Sequence, residues 1–76
     1  MRPEDISEQL EHLPFKPFRI HLTDGKAFDI THPDMVIVSR SKMIIGVPRD
    51  TRSRIAELVE HCALLHIVRV EELQPA

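Results

Sequence analysis

The chain has 76 residues, 42% of them hydrophobic, and ten basic against twelve acidic side chains give a net charge of −2. So short a chain forms one domain with a thin core, leaving roughly 40% of its unfolded surface exposed, and its apolar content excludes a disordered polymer. The single cysteine, Cys62, excludes an intramolecular disulfide framework and suits a reducing compartment, and no apolar run is long enough to span a bilayer.

The opening residues, MRPEDISEQLEH, have neither the apolar core of a secretory signal nor the acid-poor character of a transit peptide, so a cytoplasmic protein is expected. Within them Ile6, Leu10 and Leu13 recur at helical spacing, predicting a helix over about 4–13 with acids at its start, ended by Pro14 and Pro17. A helix this short is unstable alone, so its stripe must rest on something, and the end of a sheet is the natural support.

The stretch FRIHLTDGKAFDITHPD follows, and apolar alternation predicts strands over about 17–23 and 26–32. A two-residue turn at Asp24 and Gly25 would set Ile20 opposite Asp29 and turn the two apolar faces opposite ways. A three-residue loop of Thr23, Asp24 and Gly25, with Gly25 left-handed, instead pairs Ile20 with Phe28 and Phe18 with Ile30. This register keeps one face dry, and it makes Asp24 and Gly25 structural turn residues. Pro33 then breaks the ladder and holds His32 extended.

MVIV, in a strand expected over 34–39, is continuously apolar and reads as covered on both faces, by the helix or by a neighbouring subunit. After the polar turn SRSK comes a strand over 43–48, in which Gly46 signals a bulge or a close backbone approach. Residues 53–62 are ambiguous. Ile55, Leu58, Val59, Cys62 and His66 fit a helical face and the local residues favour helix, whereas HIVRVEEL alternates as a final strand over 66–72.

PFKPFRIHLTDGKAFDITHPDMVIV, followed by MIIGVP and ALLHIVRVEEL, resembles a group of short bacterial proteins of uncharacterised function. These share a PFxPFRIxLxDGRxFxVxHPE opening and an LLHIxRIE ending. More distantly, the order of helix, strand, DG turn, bent strand, hairpin and closing strand resembles the small barrel of Sm-like proteins, where HLTDGKAF would be the LxDGR hairpin. That resemblance implies a strand over 54–62, a one-turn link in LLHIVRVEEL, and rings that bind RNA. The chain departs from the Sm-like pattern at Asp29 and Ile30, where those proteins carry a glycine, and it has no asparagine. Fold alone does not give function.

Charge is unevenly placed. Arg40, Lys42, Arg49, Arg52 and Arg54 stand against only Asp50 within residues 40–54, making that segment a candidate contact for nucleic acid or another polyanion. Only Phe15, Phe18 and Phe28 are aromatic, so base stacking is disfavoured. His61, Cys62 and His66 are the only local metal-ligand cluster; Cys62 and His66 share a face if the segment is helical, whereas in a strand His61 and Cys62 point apart. His21 is expected on the outer face of the first strand beside Ala27, with Asp24 and Asp29 near, and no motif supplies a nucleophile for it. No catalytic residue, cofactor or small-molecule substrate is expected, because a thin core offers little concavity.

The expectation is therefore a mainly β domain: a five-stranded, strongly bent antiparallel sheet or partly open barrel with one N-terminal helix. Its expected role is a binding or assembly module that self-associates through strand edges, with Val36, Val38, Ile44 and Ile45 as contacts. RNA or polyanion binding through 40–54 is the alternative, and metal or catalytic use of the histidines the second. Neither a membrane nor a cofactor is called for.

Overall fold

Pro3 occupies the first position of helix α1 (Pro3–Glu11), where its fixed φ suits the turn and its missing N–H leaves no bond unmade. The carboxylate of Asp5 reaches back to the Arg2 backbone N–H at 3.2 Å and takes a second hydrogen bond from the Arg2 guanidinium at 3.0 Å. The helix stops at Glu11, before the expected boundary, so Leu13 leaves the apolar stripe and is 88% exposed. Ile6 is fully buried and Leu10 packs beside it.

The computed structural model describes residues 1–50 and 55–73. After α1 come strands β1 (Phe18–Leu22) and β2 (Ala27–Ile30), then a one-turn 3-10 helix at Pro33–Met35. β3 (Val36–Val38), β4 (Lys42–Pro48) and β5 (Ala56–Ala63) follow, a second 3-10 turn at Leu64–His66 links to β6 (Ile67–Glu72), and the described chain ends at residue 73. These form two antiparallel three-stranded sheets, ordered β2-β1-β6 and β3-β4-β5, and neither closes into a barrel. The described strands thus number six in two sheets, not five in one. Pro33 accounts for one corner, because the ladder cannot continue through it. No helix among the described residues is long and apolar enough to cross a membrane.

The β1–β2 register is the expected one, Phe18 opposite Ile30 and Ile20 opposite Phe28. Gly25 is left-handed at φ 89°, Gly25 donates its N–H to the Leu22 carbonyl at 3.0 Å, and Asp24 Oδ1 accepts from the Lys26 N–H at 2.9 Å. A Cβ at Gly25 would meet nothing within 4 Å, so any cost of substitution there lies in the backbone alone. Gly25→Ala should cost about 1–2 kcal/mol in urea unfolding, Gly25→Asn less and Gly25→Val more. Equal stabilities for the three variants would contradict a strained left-handed turn.

Alternation sends Phe18, Ile20 and Ile30 from one sheet and Val36, Met43, Ile45 and Cys62 from the other into a single core, joined by Ile6, Leu64 and Ile67. No polar or charged side chain among the described residues is buried. Gly46 is a close-approach glycine: a Cβ there would sit 3.2 Å from Ala56 Cβ. The N-terminal amine donates to the Leu64 carbonyl at 3.4 Å, and the Leu64 N–H to the Ser41 carbonyl at 2.9 Å, fastening the chain start and the β3–β4 turn to the second corner.

One expectation changes. MVIV is not covered on both faces, because Val36 points inward while Ile37 is 65% exposed. The ambiguity over residues 53–62 resolves, within the described residues, to strand at Ala56–Ala63, with Leu64–His66 as a one-turn link.

Candidate assembly surface

The outer face of sheet β2-β1-β6 is an ion-pair ladder. Register places Arg19 between Asp29 on β2 and Glu71 on β6, and sets His21 between Ala27 and Arg69. The Arg19 guanidinium donates to both Asp29 oxygens, at 2.6 and 3.1 Å. His21 Nε2 lies 2.9 Å from Glu71 Oε1 and 3.0 Å from Arg69 Nη2; protonated it donates to the carboxylate, and deprotonated it accepts from the arginine. Its partners come from β6, not from Asp24 or Asp29. The hydrogen bond from His21 holds the Glu71 carboxyl below the usual range, with Arg69 adding to the effect.

Arg19 likewise holds the Asp29 carboxyl below its ordinary value, chiefly by its hydrogen bond. A lowered folded pKa contributes stability above the unfolded value and loses it as pH falls through the folded one. Asp29→Asn should therefore lower the urea midpoint slightly at neutral pH, with the gap from the parent closing on acidification below about pH 4. A gap that persisted in acid would show that charge is not its source.

Sheet β3-β4-β5 presents the opposite chemistry. Its outer rows set Ile37 against Ile44, Ile44 against His61, and Gly46 against Val59. Ile37 and Val59 are more than half exposed, and Ile44 is half-buried. On β5, an edge strand, the adjacent residues Leu58 and Val59 point to opposite sides of the ladder and remain 61% and 58% exposed. The edge is therefore apolar from both sides. A bulge opposite Val47 and Pro48 leaves Glu57 outside the ladder, marking where regular pairing of β5 begins. Of the expected contact residues, Ile44 lies on the outer face and Val38 is partly buried against the core, but Val36 and Ile45 are core residues at 8% and 1% exposure. The exposure of Leu58 and Val59 was not foreseen from the sequence. Their signal is adjacency: neighbouring large apolar residues cannot both face inward from one strand.

The described part of the basic segment does not form one patch. Arg40 and Lys42 sit at the β3–β4 turn, while Arg49 follows the other end of β4, about 20 Å away at strand rise. Arg49 is opposite Glu57 at 4.0 Å, and Arg52 and Arg54 lie outside the described residues.

His61, Cys62 and His66 do border one cavity of about 350 Å³, together with Asp24 and Thr23. Yet His61 pairs with Ile44 on the outer face and Cys62 with Met43 on the inner, and among the described residues no group of three ligands could hold a metal ion. Burial pushes the Cys62 thiol up, with Glu60 and Asp24 adding to it, which favours the neutral form over a thiolate ligand. His66 Nδ1 is 3.4 Å from the Thr23 hydroxyl. No protein-family model, curated protein or solved structure matches the chain.

Proposed function

We propose that this protein is a self-associating assembly module, and that its interface is the outer edge of β5 with the adjoining outer face of sheet β3-β4-β5. The supporting observation is the exposure of Leu58 and Val59 on both sides of an edge strand. An edge of this kind carries unpaired backbone donors and acceptors that another strand satisfies, and two copies of one strand are complementary to each other. A chain this short also gains most from burial against a second copy, since its own core is thin. The outer face of the other sheet is already satisfied by its ion pairs, so association through it would strip hydration from charges.

A polyanion-binding reading draws on Arg40, Lys42 and Arg49, but their separation along β4 weakens it. Sedimentation velocity over a concentration series, with native mass spectrometry of protein purified without nuclease or chelator, tests both. A concentration-dependent dimer or larger closed oligomer free of nucleic acid supports assembly. A species that stays monomeric at millimolar concentration overturns it, and co-purified nucleic acid lost at high salt would favour the polyanion reading.

A further inference from the structure

A core of one thin layer leaves little room for concavity, yet the two sheets separate where β2 and β4 approach each other. β3 pairs only with Met43, Ile44 and Ile45, so the end of β4 extends past it, and β2 is the edge of its own sheet. Between them lies an open cleft of about 590 Å³, within the range of small-molecule sites. Its lining is largely apolar: Phe28 from β2, Met35 from the first 3-10 turn, and Ile45, Val47 and Pro48 from β4.

Four charged residues also line it, and they are not equivalent. Arg19 and Asp29 neutralise each other through two hydrogen bonds. Asp50 is itself engaged. Among the described residues Arg49 meets a carboxylate only in the 4.0 Å approach of Glu57, with 82% of its side chain exposed, and that contact is weak in water. The cleft thus offers an apolar wall beside one under-neutralised guanidinium.

We infer that this cleft binds a small amphiphilic carboxylate, its hydrocarbon part against Phe28, Met35 and Val47 and its carboxylate at Arg49. Arginine suits that role because its planar fork meets a carboxylate with two parallel hydrogen bonds. Leu58 and Val59 are not among the lining residues, so the inference and the proposed self-association are tested separately.

Two-dimensional amide NMR with butanoate, hexanoate and octanoate, below their micellar concentrations, provides the test. Saturable shifts are expected at Phe28, Thr31, Met35 and Val47, with affinity rising by up to about fourfold per methylene until the cleft is filled. Arg49→Gln, a surface change that leaves the core intact, should weaken octanoate binding by about tenfold. Octylammonium should not bind saturably. Shifts elsewhere, no dependence on chain length, equal binding of octylammonium, or an unaffected Arg49→Gln variant would each overturn the inference.

Discussion

With self-association through β5 as proposed, replacing Leu58 and Val59 together by lysine is expected to shift the protein to monomer, weakening association by at least about tenfold, while the fold stays intact. Both side chains are more than half exposed, so little core packing is lost. Lysine on an edge strand opposes pairing directly, since each copy would bring two ammonium groups to the seam. Sedimentation velocity reads the association and circular dichroism the fold. Ile44→Lys, on the same outer face but half-buried, should weaken assembly less. Ile45→Lys should unfold the chain outright, because Ile45 is 1% exposed and its neighbours are Met43, Val36 and the rest of the core. A Leu58, Val59 double variant that assembles like the parent would place the interface elsewhere.

The contrast between Ile44 and Ile45 shows which part of the site was legible in the sequence. MIIGV announces a strand, and alternation says that one of the two isoleucines faces out. Which one does is fixed by the partner strand: Ile45 pairs with Val36 and Ile44 with Ile37, and only the first row faces the other sheet. The β1–β2 hairpin was legible in full because both its strands carry clean alternation and only one loop length keeps their apolar faces together. β5 was not, because an edge strand with apolar residues on both sides loses the period of two, and its Ala, Glu and Leu content imitates a helical face. Non-local partners were also hidden. His21 meets Glu71 fifty positions away only through the β1–β6 register, which a bulge shifts after His21, leaving Val68 without a partner and 61% exposed.

The basic segment teaches the converse point. Residues 40 to 49 are neighbours in sequence, but a seven-residue strand, β4, carries the charge at its two ends apart. Sequence density of charge becomes a surface patch only when the intervening chain turns back, and from Lys42 to Pro48 it is one continuous strand. Among the described residues of the segment two separate basic points remain, one beside the N-terminal amine and one at the mouth of the cleft.

Among truncations to alanine, the largest loss of stability is expected from Phe18→Ala. Phe18 is the bulkiest fully buried side chain, it faces Ile30 across β1–β2, and its ring lies 6.1 Å from that of Phe15 in a tilted contact. Truncation removes the transfer free energy of the ring and leaves a cavity, together about 3–5 kcal/mol. A domain of this length holds only about 4–11 kcal/mol in all, so the variant should stand at the edge of unfolding at room temperature. Urea unfolding should show the midpoint collapsing with the slope unchanged, whereas Phe28→Ala, at a half-buried position, should lose much less. A Phe18→Ala protein within 1 kcal/mol of the parent, by the same rule, would mean that the two sheets are not held together by this core. The proposed self-association predicts a concentration dependence: if assembly contributes to stability, raising protein concentration should recover part of the loss in Phe18→Ala. It should recover none in a triple variant that also carries lysine at Leu58 and Val59, because the monomer alone then bears the cost of the cavity.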